Sequence, residues 1–211
     1  MEKYVLTKTF LSTILGNLSK SASLDGREYL TDGALDRLVL ASGGVARDFL
    51  SIFRRSVDVA RERKAEKISA EDINVAAGEY EPSKRDEFKR DIYSEEEHPL
   101  DSVFQEVRNF CLDTAKTNCF LMNKDARGAP VDSVHELVDL KLLHLIRSRV
   151  TVNSKSKGGQ IYEAYMLDLS QYAGARKRRG LEIIEFWRKD TNQKLRRISL
   201  IFKEKSGLGP N

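Results

Sequence analysis

Two adjacent glycines, Gly43 and Gly44, stop one apolar-periodic segment and start another, and no other feature constrains the first third of the chain so tightly. Ahead of them Leu35, Leu38, Val39 and Leu40 recur at helical spacing; behind them Val45, Phe49, Ile52, Phe53, Val57 and Ala60 do the same. A glycine pair ends a helix because it accepts a left-handed backbone that side chains with a Cβ resist. Two helices joined by so short a turn pack as neighbours. The second helix also carries Arg47, Arg54 and Arg61, seven residues apart and therefore nearly in line on its surface. It buries one side and offers cations on another, which as a bare pattern is a solvated arginine face.

The same rhythm extends to both sides. Val5, Leu6, Phe10, Leu11, Ile14, Leu15 and Leu18 give the first segment a broad apolar face that requires a packing partner. The stretch SASLDGR (21–27) is a turn-rich break, and Thr31-Asp32 has the chemistry of an N-terminal cap for the next helix. Beyond Lys67, Ser69 and Asp72 stand at capping-box spacing, in which the hydroxyl takes an orphan amide and the acid reaches back. Residues 1–80 therefore predict four helices in one compact domain. Residues 81–100 are charged throughout and hold two of the four prolines, so they predict an inter-domain connection with a short helix at 84–92.

The second half changes period. A helix is expected from about Ser102 to Lys116, then a short strand at CFLMN (119–123) and a loop at KDARGAP. Ser133 and Glu136 repeat the capping-box spacing ahead of LVDLKLLHLI, which places a recognition-type helix at Ser133–Leu140. Val150 and Val152 begin a strand, NSKSKGGQ reverses the chain, and IYEAYMLDL returns as its partner. Leu181, Ile184 and Trp187 suggest a further helix, and KLRRISLIFK a last strand. Helix, strand, helix and a hairpin with a basic tip is the order of a winged helix. The expected fold class is mainly α with a small β component. Its parts are a helical domain (1–80), a connection (81–100), a winged-helix domain (101–205) and a tail (206–211).

Charge is distributed unevenly. Residues 141–211 hold sixteen Lys or Arg against six Asp or Glu, a local +10, while residues 1–140 carry a local −6. That asymmetry predicts a polyanionic partner for the C-terminal third. The candidate contacts are Arg147, Arg149, Lys155 and Lys157 on the hairpin, and the run Arg176, Lys177, Arg178 and Arg179. Ser154 and Ser156 add phosphate hydrogen bonds, and Gly158 and Gly159 allow the tip to approach a backbone closely. Duplex DNA is the expected partner, bound through its phosphates.

Catalytic constellations are missing. There is no GxxxxGK[ST] loop, no apolar strand ending in Asp-Glu to hold magnesium, and no GxSxG. His98, His135 and His144 lack zinc-pair spacing, so no metal site is expected; His135 reads as a helix-surface residue and His144 as a core-edge one. Cys111 and Cys119, without CxxC spacing, suggest a reducing, cytoplasmic setting. No stretch is long and apolar enough to cross a membrane, and MEKYVLTKTF lacks the core of a secretory signal. The chain is expected to have no catalytic residue of its own and not to be an enzyme by itself.

Residues 30–73, LTDGALDRLVLASGGVARDFLSIFRRSVDVARERKAEKISAEDI, resemble the helical lid of AAA+ ATPases of the origin-recognition and cell-division-control group. The likeness lies in the glycine turn, the arginine three residues beyond it, the arginine-rich helix and the Ile-Ser-x-Glu-Asp-Ile opening of the next. A second block, residues 133–187, resembles the winged-helix tail of bacterial ATPases of this type. The resemblance implies that Arg47 is a sensor arginine, reaching the nucleotide phosphates of a neighbouring core with its fixed guanidinium fork. It implies ATP and magnesium for the parent protein and none in this chain, since the Walker segments are missing. It implies a C-terminal piece of a longer ATPase or one half of a split one. The alternative is a regulatory module that docks on an AAA+ nucleotide-binding domain or neighbouring subunits, its apolar face at residues 4–18 serving as an interface. A free-standing transcription regulator is a third reading.

Overall fold

The computed structural model describes residues 1–20, 23, 25–91, 99–153, 159–173 and 180–203. They form a mainly helical structure with one small three-stranded antiparallel sheet, divided between two compact units. Neither unit is continuous in sequence. The first comprises Met1–Tyr93 with Asp168–Gly180, the second Ser94–Leu167 with Leu181–Asn211.

The first unit contains α1 (Tyr4–Lys20), α2 (Ala34–Ala41), α3 (Ala46–Glu62) and α4 (Ala70–Asp91). Its core is built from Leu11, Leu15, Leu38, Val39, Phe49, Ile52, Ile73 and Ala76, all buried at the expected spacing. Gly43 and Gly44 take φ of 56° and 82°, the left-handed region that favours glycine. Ser42 holds the turn, its hydroxyl donating to the Val39 carbonyl (3.0 Å) and accepting from the Gly44 amide (3.3 Å). The Ser69–Asp72 capping box forms as expected: the Asp72 amide donates to Ser69 Oγ at 3.2 Å, and the Ser69 amide to Asp72 Oδ2 at 2.7 Å.

Three expectations for this half change. The cap of α2 is Gly33, with a φ of 77°, and neither Thr31 nor Asp32 caps it by side chain; Thr31 instead lends its carbonyl to the Ala34 amide (3.0 Å). The apolar face of α1 is only partly covered: Tyr4, Leu11 and Leu15 are buried, while Val5, Leu6 and Phe10 remain 59–73% exposed. The short helix expected at 84–92 within a connection is helical through Asp91, but it is continuous with α4 through Pro82. That extension brings Lys84 into the unit's interior.

The second unit contains α5 (Pro99–Asn109), continued by a π-helical turn at Phe110–Thr114, then β1 (Cys119–Asn123), α6 (Ala129–Asp139), β2 (Leu143–Val150) and β3 (Tyr162–Leu167). The sheet order is β1-β3-β2, both pairs antiparallel, with Cys119 opposite Met166 and Leu143 opposite Leu167. Phe120 stacks on Tyr165 and meets Phe202 edge-on, which closes the C-terminal segment over the sheet.

Here too the boundaries move. α6 begins at Ala129 behind Gly128, with Pro in its first turn, rather than at Ser133. It ends at Asp139; Lys141 then turns with a φ of 62°, and the second half of LVDLKLLHLI is strand, so β2 starts at Leu143 and not at Val150. Leu181–Trp187 does not form a helix. The Glu182 amide pairs with the Lys116 carbonyl (2.9 Å) and the Ile184 amide with Asn118 Oδ1 (2.8 Å), fastening the segment to the sheet's edge in extended form. KLRRISLIFK forms two short 3-10 turns, Gln193–Arg196 and Ile198–Leu200, and pairs with the sheet by backbone where Ile201 bridges Leu121 and the Phe202 amide donates to the Leu121 carbonyl at 2.8 Å.

Candidate functional site

Arg47 lies on the first turn of α3, one residue beyond Ala46, where the glycine turn delivers it to the surface with its side chain 62% exposed. Its Nε sits 3.2 Å from Oδ1 of Asp48, a fully buried carboxylate at the same helix end. A carboxylate there is favoured by the unpaired amides and dipole of the helix N-terminus. Arg54 and Arg61 follow in line and are exposed, so the outer row of α3 is solvated as its pattern suggested.

Behind Arg47 lies a buried ionic centre that the sequence did not reveal. Lys84 Nζ approaches Asp48 Oδ2 at 2.9 Å and Asp168 Oδ2 at 2.7 Å, and the Tyr80 hydroxyl donates to Asp48 Oδ1 at 3.2 Å. The Asp48 contact is a charge pair by distance, outside hydrogen-bond alignment, whereas Lys84 also hydrogen-bonds Asp168. Asp168 is further satisfied by the Ser170 amide at 3.1 Å and the Ser170 hydroxyl at 2.5 Å. Burial alone would lower the Lys84 pKa, but the two carboxylates outweigh it and hold the ammonium above its ordinary value. Burial and the Asp48 charge raise Tyr80. A lysine so enclosed is committed to the fold.

In the second unit the structure brings Arg147 and Arg149 together. Both line a polar cavity of about 340 Å³ with Val150, Thr151, Asn192, Leu195 and Arg196. Arg147 is half-buried and its Nη2 donates to the Phe186 carbonyl at 3.5 Å; Arg149 is exposed. Arg196 was not among the expected contacts. It comes from a segment read as strand, and its backbone carbonyl accepts from the Asn153 amide at 3.0 Å, which fixes it beside the exit of β2. The KLRR run did show cations, but it did not show which of them are spent on Glu182.

Lys155 and Lys157, the run Arg176, Lys177, Arg178 and Arg179, and His98 lie outside the described residues. His135 is exposed on α6 and 3.9 Å from Glu163; His144 is buried. Cys111 and Cys119 are buried free thiols, pushed up in pKa by burial, which makes them poor nucleophiles. Among the described residues no three His, Cys, Asp or Glu side chains gather in a metal-binding arrangement, and no helix is long and apolar enough to cross a membrane. The chain matches no protein-family model, no curated protein and no solved structure.

Proposed function

We propose that this chain is the lid and winged-helix portion of an AAA+ ATPase, and that its second unit binds duplex DNA. The observation that carries the DNA reading is the set of arginines on and beside β2 that face no carboxylate among the described residues. Cations without a carboxylate partner are available to phosphates, and the local charge of +10 over residues 141–211 acts in the same sense. The run α5, β1, α6, β2, β3 has the element order of a winged helix, with α6 ahead of the hairpin and Lys155 and Lys157 in the connection between its strands.

For the first unit, the glycine turn, the surface guanidinium of Arg47 and the four-helix order support a lid. At the glycine turn Arg47 offers one exposed guanidinium, which can meet a phosphate oxygen but holds neither a base nor magnesium. In this reading ATP and magnesium belong to a partner core, and Arg47 reaches toward them from the lid, in a reducing, cytoplasmic setting. Mixing the chain with such a core should restore hydrolysis, and Arg47→Ala should abolish it; hydrolysis unchanged by that substitution rejects the sensor role.

DNA binding is tested with a labelled duplex of roughly two to three helical turns at about 50 and about 200 mM salt. Tight binding that falls steeply with salt and is lost in Lys155→Glu/Lys157→Glu is the expected result. No binding at low salt overturns it. The second reading, a docking module for the ATPase, is favoured by the exposed Val5, Leu6 and Phe10 side of α1, and predicts association with little salt response.

A further inference from the structure

The cavity beside β2 is walled by cations of one kind. β2 slips register against β3 between Leu145 and Arg147 and again between Arg147 and Val150. Such irregularities re-aim side chains at a strand's edge, and here Arg147 and Arg149 both reach the same hollow. Asn192 and Arg196 line it as well, with the buried Val150 and Leu195. Lys194 and Arg197, on either side of Arg196, are both tied to Glu182, at 2.7 and 2.6 Å. Arg196 and Arg149 have no ion pair among the described residues, and no acidic side chain lines the cavity.

Three guanidinium groups around one concave space repel one another, and an anion seated between them removes that repulsion. The planar fork of arginine donates to two oxygens at once, a geometry that phosphate matches from several directions. Thr151 and Asn192 add neutral polar groups to the lining. At about 340 Å³ the space is at the small end of ligand cavities, room for a phosphate and part of an attached sugar.

We propose that this cleft seats one phosphate group of a nucleic-acid backbone, with Arg196 as a third donor beside Arg147 and Arg149. The identity of the phosphate's owner rests on the DNA-binding reading above; the phosphate site does not. Arg196 thereby anchors the backbone at the base of the hairpin and fixes its register, while reading no base.

Two titrations of the full chain test this. In the first, inorganic phosphate is added while the amide resonances of Arg147, Arg149, Thr151, Asn192 and Arg196 are followed. Saturable shifts confined to these residues, lost in Arg196→Gln and retained in Arg197→Gln, are expected. A flat response, or one unchanged by Arg196→Gln, overturns the cleft. In the second, duplex affinity is measured against chloride concentration, and Arg196→Gln should flatten the log–log salt slope by about one. Duplex binding with the same affinity and slope in both proteins overturns the cleft and leaves the DNA reading standing. Absence of duplex binding by the unsubstituted chain overturns the nucleic-acid owner, and the phosphate titration then decides the cleft alone.

Discussion

In the first unit Lys84 is 5% exposed and lies between two carboxylates, whereas in the second Arg149 and Arg196 stand exposed at a cleft without one. Asp72 and Arg63 repeat the first pattern nearer the surface: Arg63 Nη2 lies 2.7 Å from Asp72 Oδ2, in the same group that closes the capping box. A charge enclosed by partners is part of the fold, because taking it away strands its counter-ions in a medium that solvates them poorly. A charge at an open cleft contributes little to stability. Counting basic residues would treat the two units alike; following each cation to its partner separates them.

The strongest way to break that comparison is Lys84→Met. It removes the ammonium that Asp48 and Asp168 share inside the fold and is expected to cost about 3–5 kcal/mol, read by urea or thermal unfolding. Arg196→Gln, by contrast, is expected to stay within about 0.5 kcal/mol of the unsubstituted chain. Equal losses from the two would erase the distinction. The same centre has a pH signature. The Lys84 and Tyr80 pKa values lie above their ordinary 10.5 and 10.0, so above pH 10 the folded chain retains protons that the unfolded chain has released. Stability is fully present below that range and falls as pH rises through the raised values. Lys84→Met should remove the lysine's share of this alkaline loss.

Asp72→Asn is expected to cost about 1–2 kcal/mol at neutral pH, since it weakens a cap and an ion pair together. Burial alone would raise the Asp72 pKa, but Arg63 and the Ser69 amide and hydroxyl outweigh it and hold the carboxyl below its ordinary 3.8. Between those two values the unfolded chain binds the proton and the folded chain does not. The contribution is therefore complete above pH 3.8 and lost as pH falls through the lower value, and an unfolding series in acid should be flatter for Asp72→Asn. Smallest is Arg54→Ala on the exposed row of α3, which should change stability by no more than about 0.5 kcal/mol; a larger loss would mean that this row is held by the fold after all.

Most of the first unit was legible in the sequence because its signals are local. Apolar spacing marked α2 and α3, the glycine pair marked the turn between them, and Ser69 and Asp72 marked the start of α4. What escaped was non-local. Pro82 and the charged residues after it read as a connection with a separate short helix at 84–92, yet α4 runs unbroken to Asp91, and Lys84 within it finds partners as far away in sequence as Asp168. In the second unit, CFLMN and the return strand were readable from their apolar runs. The start of β2 was not, because LVDLKLLHLI is apolar at both periods and the turn after the helix is made at Lys141, a left-handed residue with no glycine to announce it. The helical spacing of Leu181, Ile184 and Trp187 was overridden by backbone partners at Lys116 and Asn118. Arg147 and Arg149 were identified as candidates from charge alone, but Arg196 required knowing that Glu182 engages its neighbours.

The excursion of Asp168–Gly180 into the first unit bears on the order in which the chain emerges from a ribosome. Asp168 is made 84 residues after Lys84 and directly after the last residue of β3. By the time it appears, α1 to α4 and all three strands of the sheet have been synthesised. Until then Lys84 has only Asp48 to meet, and the place of Leu169–Gln171 against the helices is empty. Vectorial synthesis ordinarily lets an N-terminal domain fold first. Here the helices made first are completed only after all three strands of the second unit have been made.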